Sequence, residues 1–296
     1  MLQSLSRAVL PENLCVIGNT ETLSLAEDYI CSTHSIDRAD WAPFFVKDGR
    51  LPSVQVDGFM ETDLVLSYLP DRVGHFAENL RRAGVHRVVF HNPHPPQDGT
   101  VHIVDHLLKP LFDLGIEVTS HAPLISVRES ERDDARRLLE AEPCFVIHPG
   151  SGGAHKCWPA ERFAKVADRI SREFGHRIIL LSGPADGDRA EQVANDMRTD
   201  PVRLHHPPLR LLAAVLHEAV AYLGNDSGPS HVAAAVGARA VVLFGATDPR
   251  IWAPRGKSVK IVEGERNLDI EDRLESISGD RTVDAVLQVL ESMTGS

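Results

Sequence analysis

The sequence lacks several features that mark other classes of protein. No apolar run approaches the roughly 18–20 residues that span a bilayer, and the start shows no secretory pattern because its apolar residues are interrupted before Pro11. The fifteen histidines are spread out and indicate no metal site. The four cysteines include no close pair, so neither a disulfide framework nor a zinc site is indicated. These cysteines are Cys15, Cys31, Cys144 and Cys157.

Acidic residues outnumber basic ones, 42 to 31. A formal net charge of −11 argues against a general nucleic-acid binder, which needs a basic surface to neutralise phosphates. It leaves room for a phosphorylated small molecule, since one pocket can be positive on an acidic protein. Because the start shows no secretory pattern and no apolar run is long enough to span a bilayer, the predicted location is cytoplasmic. The sequence contains no polybasic patch, so any membrane contact is expected to be peripheral, at the inner face of the cell membrane.

Short apolar runs alternate with helical patterns along most of the chain. In residues 159–174, Phe163, Val166 and Ile170 fall on one helical stripe, which starts at a proline and is followed by Gly175. This alternation predicts an α/β fold with parallel sheets covered by helices on both faces. The predicted strands span residues 14–17, 64–68, 87–90, 145–148, 177–181, 219–223, 240–244 and 259–262.

At 296 residues the chain is long enough for two doubly wound domains. Residues 115–124 are interpreted as a last strand that runs into an irregular connection, and a charged helix is predicted at 129–139. The sequence therefore predicts a boundary near residue 125, with an N-terminal domain at 1–125 and a C-terminal domain at 126–296. Ligands of such sheets bind beyond the carboxyl ends of the strands, here in a cleft between the domains.

A glycine-rich loop follows the predicted strand that ends at His148, and a helix is predicted to begin at Pro159. Glycines let the backbone approach a ligand, and Lys156 supplies a point charge suited to phosphate. The glycines are equally compatible with a simple turn. Trp158 is interpreted as a packing residue rather than one that stacks on a base.

Residues 225–231, Asn-Asp-Ser-Gly-Pro-Ser-His, form a second candidate segment at the start of a helix. Ser227 and Gly228 place hydroxyl and N–H groups at a helix N-terminus, where an anion is favoured. The alternative is an ordinary helix cap by Asp226 or Ser227. His231 is explained equally well by a ligand contact and by a place in the core.

Two further loops follow strands at the same predicted edge. In residues 180–189, Asp186 is explained equally well by a hydrogen bond to a ribose and by a helix cap, whereas Asp188 is interpreted as a cap alone. Residues 241–249 are interpreted as a tight turn in which Asp-Pro ends the strand.

Together these segments resemble the heptosyltransferase family, glycosyltransferase family 9, whose members elongate the inner core of lipopolysaccharide. The shared features are a glycine-rich loop ending Lys-x-Trp-Pro, a Gly-Pro-x-Asp loop, Asn-Asp-Ser-Gly-Pro-x-His and Phe-Gly-x-Thr-Asp-Pro. The match is strong across about 143–256 and weaker over 1–125. It implies a GT-B architecture, in which two Rossmann-like domains face a cleft, and a metal-independent transfer that needs no cofactor and inverts the anomeric centre.

The resemblance also implies the substrates and the site. The donor would be an ADP- or UDP-linked sugar, a heptose being one candidate, and the acceptor a lipopolysaccharide-type or other cell-surface glycan or glycolipid. Lys156 would stabilise the leaving diphosphate, and Asp186 would hold the ribose. The implied donor-binding residues are Ser151, Gly152, Lys156, Asp186, Asp226, Ser227, Gly228 and His231.

The start of the chain departs from the family. Its members begin with a strand and a Gly-Asp loop whose aspartate is the general base, but residues 2–11 already have the pattern of the first helix. Loss of a base slows transfer by about 10²–10⁴-fold, and loss of a central strand leaves strand edges unpaired. Either the true start lies upstream or the protein is a slow or inactive relative. His91 or His94 is a candidate substitute base.

Three functions are compatible with these observations. The motifs favour an active glycosyltransferase. A nucleotide-sugar-binding subunit that has lost its base and works beside a partner is the alternative from another class. An epimerase of the same fold is the third, since a shared fold does not fix function, and the Lys-x-Trp-Pro and Asp-Ser-Gly-Pro-x-His motifs weigh against it.

Overall fold

The computed structural model describes residues 1–30 and 32–291, so Cys31 lies outside the described residues. The chain divides into two compact units, Met1–His121 and Ala122–Ser296. The boundary predicted near residue 125 lies a few residues beyond this division. Within the described part of the chain, every helix is too short or too polar to cross a membrane.

The first unit contains two pairs of parallel strands. β1 (Cys15–Gly18) pairs with β2 (Ser32–Ser35), and β3 (Leu64–Ser67) pairs with β4 (Arg87–Phe90). Among the described residues no ladder joins the pairs, so this unit lacks the single doubly wound sheet that the sequence predicts. The helices are α1 (Leu2–Ala8), α2 (Thr20–Leu23), α3 (Ser53–Phe59), α4 (His75–Arg82) and α5 (Ile103–Asp113).

An aromatic cluster holds the two strand pairs in one unit. The rings of Trp41, Phe44 and Phe59 lie with centroids 5.5 to 6.0 Å apart. Ile17 of β1 and Val65 of β3 both pack against this cluster. Burial of apolar surface therefore connects the strand pairs where main-chain hydrogen bonds do not.

The strand predicted within residues 115–124 is wrong, because this segment forms no strand. A strand needs a neighbouring strand as hydrogen-bond partner. Here the N–H of Thr119 instead donates to the side chain of Ser4 in α1, at 3.2 Å. The segment therefore runs as irregular chain to the end of the first unit.

The second unit is built on six parallel strands in the order β10-β9-β8-β5-β6-β7. Two βαβαβ halves diverge from the neighbouring strands β5 and β8, which is the doubly wound order of a dinucleotide-binding domain. The prediction of a doubly wound sheet is confirmed for this unit. The strands are β5 (Cys144–His148), β6 (Arg177–Ser182), β7 (Val202–His205), β8 (Ala221–Asn225), β9 (Ala240–Phe244) and β10 (Val259–Glu263).

Helices cover both faces of this sheet. Phe145 and Ile147 point to one face, where they pack with buried residues of α7, α8 and α13. The other face carries α9 and α10. As predicted, α7 follows Pro159 and ends at Gly175, whose φ of +67° is in the left-handed region that glycine favours. The helices are α6 (Glu129–Leu138), α7 (Ala160–Phe174), α8 (Gly187–Asp196), α9 (Leu209–Glu218), α10 (Gly228–Ala235), α11 (Pro249–Trp252), α12 (Ile270–Arg273) and α13 (Gly279–Glu291).

Hydrogen-bonded ion pairs connect α6 to α9. The carboxylate of Glu218 accepts hydrogen bonds from Arg132 Nε at 2.7 Å and from Arg136 Nε at 2.8 Å. Burial raises the pKa of Glu218, but the hydrogen bonds and charges of the two arginines outweigh it, so the pKa lies below its usual value. The folded state therefore favours the ionised carboxylate.

Candidate active site

Four predicted loops leave the sheet of the second unit at one edge, since they follow β5, β6, β8 and β9, which are parallel neighbours. The strands β5 and β8 pair directly, with His148 opposite Gly224. Between them lies the point where the strand order reverses, and ligands of such sheets bind there because the loops on either side diverge. The candidate donor site is therefore at this switch point.

Asn225, the last residue of β8, holds the glycine-rich loop that follows β5. Its side-chain N–H donates to the carbonyl of Pro149 at 2.8 Å, and its side-chain oxygen accepts from the N–H of Trp158 at 3.0 Å. Both side chains are fully buried. The interpretation of Trp158 as a packing residue is confirmed, because it lies in the core between the sheet and its helices. The loop is thus fixed at both ends, while Gly152 within it is exposed.

Asp226 is the meeting point of three of the loops. Its Oδ2 lies 3.3 Å from Lys156 Nζ and accepts a hydrogen bond from the Thr247 hydroxyl at 2.7 Å. Its backbone carbonyl accepts from the Ser151 hydroxyl at 2.7 Å. The Lys156 and Asp226 side chains are 29% and 12% exposed, so the ion pair is at the boundary between protein and solvent. An anion placed there can reach the lysine.

Thr247 is a site residue that the sequence interpretation missed. The turn predicted around it is present, since Asp248 caps α11 by accepting from the N–H of Arg250. The turn also brings the Thr247 hydroxyl to Asp226. Thr247 follows β9, and β9 is the neighbour of β8 in the sheet. This position is the only signal in the sequence that could have indicated the contact between Thr247 and Asp226.

The start of α10 contributes Ser227, Gly228 and His231. Ser227 occupies the N-cap position, but its hydroxyl makes no capping hydrogen bond. That hydroxyl instead lies 3.2 Å from Nδ1 of His148. Gly228 is exposed, and His231 is half-buried in the first turn of the helix. The helix end therefore combines an exposed backbone with the positive end of its dipole, which suits a phosphate group.

Asp186 lies at the same edge but points into the protein. Its Oδ2 is 2.9 Å from Nε2 of His148, and its other oxygen accepts from the N–H of Gly183. Burial raises the pKa of Asp186. The hydrogen bond and charge of His148 and the backbone hydrogen bonds together outweigh burial, so the pKa lies below its usual value. Asp186 occupies the N-cap position of α8, but its side chain makes no capping bond. Asp188 is the second residue of the helix, so its interpretation as the cap is wrong. Any ribose contact by Asp186 stays a prediction.

Gly150 is needed where the glycine-rich loop passes Asp186. A Cβ at this position would lie 1.7 Å from Asp186 Oδ2, whereas a Cβ at Gly152 would meet nothing within 4 Å. The loop therefore packs against the carboxylate at Gly150 and is open at Gly152. Gly150 thus serves the packing of the loop, and the approach of a ligand at Gly152 stays a prediction.

In the part of the chain that the structure describes, no three His, Cys, Asp or Glu side chains gather in a way that could hold a metal ion. Metal-independent chemistry stays a prediction. In the first unit, the ring of His91 lies 5.7 Å from that of Tyr68 and 4.4 Å from that of His106. Burial is the main cause that lowers the pKa of His91, so its ring is neutral at pH 7. His94 is exposed.

Comparisons with known proteins identify relatives of this chain. The lipopolysaccharide heptosyltransferase 3 of Escherichia coli K12 is 35% identical over 167 residues, which cover 54% of this chain and 48% of that protein. The chain thus spans about half the length of the curated relatives it matches.

Two solved structures show the same fold. The first, a family 9 glycosyltransferase from Veillonella parvula, superposes with a TM-score of 0.79 at 22% identity, covering 98% of this chain and 92% of that one. The second, an E. coli ADP-heptose heptosyltransferase II, gives 0.76 at 16% identity, covering 99% and 94%. Both likenesses support the GT-B architecture expected from the sequence.

The family model of glycosyltransferase family 9 (heptosyltransferase) matches residues 72–278, well over half of the chain. These residues include the four loops that meet at the switch point. The chain therefore belongs to glycosyltransferase family 9, the heptosyltransferases.

Proposed function

We propose that the second unit binds a nucleoside-diphosphate sugar at the switch point of its sheet, and that the protein transfers the sugar to a lipopolysaccharide-type acceptor. The observation that carries this proposal is the convergence of three strand-end loops on Asp226, with Lys156 beside it and the N-terminus of α10 directly after it. A lysine next to a helix N-terminus suits a diphosphate, since both provide positive potential and N–H donors.

The transfer breaks the bond between the anomeric carbon and the diphosphate oxygen. The acceptor hydroxyl forms the new bond to that carbon from the opposite face, which inverts the configuration, and its proton passes to a base. Negative charge grows on the leaving diphosphate, where Lys156 and the positive end of the α10 dipole stabilise it. With these groups in place, the departure of the diphosphate needs no divalent cation.

ADP-linked heptose is the first donor to test. The E. coli neighbour with TM-score 0.76 is described as an ADP-heptose lipopolysaccharide heptosyltransferase. The curated relative that is 35% identical is a lipopolysaccharide heptosyltransferase as well. These relatives supply the choice of sugar and acceptor, while the loops of the second unit supply the general affinity for a nucleoside diphosphate.

The test is a thermal-shift series with ADP, UDP, GDP and their sugar conjugates, with and without EDTA. At about 100 times its dissociation constant a ligand adds roughly 2.7 kcal/mol to stability, which raises Tm by several degrees in a protein of this size. Stabilisation by one nucleotide that persists in EDTA, together with release of that nucleotide when acceptor is added, supports the proposal. The absence of any shift overturns it.

A third outcome, binding of the nucleotide sugar without transfer, would favour the alternative function of a nucleotide-sugar-binding subunit. The base is tested in the same assay. If His91 or His94 removes the acceptor proton, changing that histidine to alanine abolishes transfer while the affinity for the donor stays level. Unchanged turnover in both variants would eliminate these two histidines as the base.

A further inference from the structure

Phe76, at the start of α4, is buried among apolar side chains of the first unit that are themselves exposed. Its ring stacks on that of Phe45, with centroids 4.6 Å apart and planes at 8°, and meets the ring of Phe90 at 6.1 Å. Phe45 and Phe90 belong to a surface that we call the apolar rim. The apolar rim consists of five exposed residues, Phe45, Val46, Leu69, Val73 and Phe90.

One part of the apolar rim lies on a loop, residues 45–50, that α4 holds in place. The buried side chain of Asn79 donates to the carbonyl of Val46 at 2.8 Å. Gly49 closes the loop so tightly that a Cβ there would lie 1.8 Å from a backbone carbonyl oxygen. A loop fixed in this way keeps Phe45 and Val46 in contact with solvent instead of letting them fold into the core.

The rest of the apolar rim lies on the loop between β3 and α4, residues 69–74, and at the end of β4. Asp71 closes this loop onto the helix, because its carboxylate accepts from the N–H of Phe76 at 3.3 Å. Val73 is left 71% exposed beside this contact. The loop starts next to Phe90, since β3 pairs with β4 and Phe90 is the last residue of β4. The apolar rim therefore surrounds one buried ring and forms a patch, which marks an interaction surface.

Basic side chains lie on the same two loops. Lys47 and Arg50 are on the first loop and Arg72 is on the second, and all three are exposed. Within the part of the chain that the structure describes, none of the three takes part in an ion pair or a side-chain hydrogen bond. The acidic residues of the loops are Asp48, which is exposed, and Asp71, which is occupied at the start of α4. On a chain with a net charge of −11, the apolar rim thus has a locally cationic border.

An exposed apolar patch with a cationic border fits the surface of an anionic bilayer. Apolar side chains enter the boundary between headgroups and acyl chains, while lysine and arginine reach the anionic headgroups. The apolar rim also lies at the carboxyl ends of β3 and β4, the edge at which parallel strands present ligand-binding groups. A second copy of the chain fits less well, because a symmetric contact would bring two cationic borders together.

We propose that the apolar rim, together with Lys47, Arg50 and Arg72, is a membrane-docking surface that binds the headgroup region of a bilayer containing anionic lipids. This inference rests on the proposed function, since the lipopolysaccharide-type acceptor assigned there is an amphiphile that a bilayer holds. Docking brings the first unit to the plane of that acceptor. The contact is reversible because few side chains take part, and it weakens as salt rises.

The experiment measures sedimentation of the full chain with vesicles, without nucleotide. One set of vesicles contains phosphatidylglycerol and phosphatidylethanolamine, and the other contains phosphatidylcholine alone. The unaltered protein is expected to bind the anionic vesicles at least tenfold more tightly than the neutral ones, and less tightly at high salt. Val73→Asp should weaken binding to the anionic vesicles by about tenfold, with Tm unchanged because the side chain is mostly exposed.

Met60→Asp is the matched control, because it makes the same change in charge at a residue that is 60% exposed. Met60 lies at the opposite end of α4, where its Cα would be 3.4 Å from a Cβ at Gly84. This variant should bind vesicles as the unaltered protein does. Arg72→Gln should weaken binding to the anionic vesicles several-fold and leave binding to the neutral ones unchanged.

Equal binding of the Val73 and Met60 variants, or equal binding of the unaltered protein to both kinds of vesicle, would overturn the inference. A dimer that Val73→Asp dissociates, seen by light scattering together with no vesicle binding, would assign the apolar rim to self-association and overturn it as well. The outcome is separate from the thermal-shift series. A protein that binds nucleotide but no vesicles refutes this inference alone, whereas one that binds vesicles but no nucleotide refutes the proposed function and supports the docking surface.

Discussion

Replacement of Lys156 by methionine tests the donor site most directly. The lysine reaches Asp226 at 3.3 Å and keeps 29% of its side chain exposed, so its charge is available to a ligand at the start of α10. Methionine retains most of the length and the apolar stem but removes the charge. We expect weaker binding of nucleoside diphosphate with little loss of stability.

The expected loss of binding free energy follows from the distance between Lys156 and the ligand charge and from the exposure of the lysine. Two unit charges about 4 Å apart interact by roughly 4 kcal/mol at an effective dielectric constant near 20. Asp226 already balances part of the lysine charge and water screens it further, so a value of about 1.5–3 kcal/mol, typical of a hydrogen bond to a charged group, is expected. This corresponds to a dissociation constant raised by roughly 10- to 150-fold. The ion pair with Asp226 is partly exposed and contributes about 1 kcal/mol or less to folding.

The assay is calorimetric titration with ADP, or with whichever nucleotide gives the largest thermal shift, at two salt concentrations. Lys165→Met is the matched control, because Lys165 is an exposed lysine of α7 in the same unit and its replacement makes the same change in net charge. The loss at Lys156 should shrink as salt rises. Equal affinities for the Lys156 variant and the control, whether both unchanged or both weakened, would refute a specific contact between Lys156 and the diphosphate.

Three further predictions concern neighbouring parts of the second unit. Gly150→Ala should lower both Tm and nucleotide affinity, because the new Cβ would lie 1.7 Å from a carboxylate oxygen of Asp186. Gly152→Ala should leave Tm unchanged and weaken only nucleotide binding, because its Cβ would meet nothing within 4 Å. Equal Tm values for the two variants would contradict this prediction. Asp226→Asn should bind ADP at least as tightly as the unaltered protein, since it releases Lys156 from its ion pair, yet transfer sugar more slowly; weaker ADP binding would contradict the expected competition. Glu218→Gln should lower stability at pH 7 by about 1–3 kcal/mol by removing a charged partner of two arginines. The pKa of Glu218 is lower in the folded state, so its contribution is present above the unfolded pKa of about 4.3 and is lost as pH falls through the folded value; the variant's urea midpoint should vary less across that window.

The inner strands of the second unit could be predicted because each is largely a run of apolar residues buried on both faces. β5, β8 and β9 are buried at every position, which a sequence records as a nearly continuous hydrophobic run. β2 reads Ser-Thr-His-Ser, and β7 alternates half-buried and exposed residues at the edge of the sheet. Neither has the apolar signal, since each owes its strand geometry to its one neighbour rather than to burial. These two strands were missed for that reason.

The position of the candidate site could be predicted for a related reason. Parallel strands send their carboxyl ends to one edge, so polar residues that follow different strands must come close whatever their separation along the chain. The sequence therefore brings Lys156, Asp186 and Asp226 to one place. It does not determine which of them face solvent. Asp186 points inward to His148, a contact across 38 positions that depends on the register of β5 against β6.

The same limit explains why His148 has no signal of its own in the sequence. A histidine that ends a buried strand has the pattern of a core residue, and by burial it is one. Its chemistry comes from two loops that begin on different strands and supply a carboxylate and a hydroxyl to opposite nitrogens of one ring. The residues predicted to bind a ligand lie at strand ends, where the order of the strands indicates them. Residues that contact those groups from within the protein lie one layer deeper, and only the contacts between side chains distinguish them from the rest of the core.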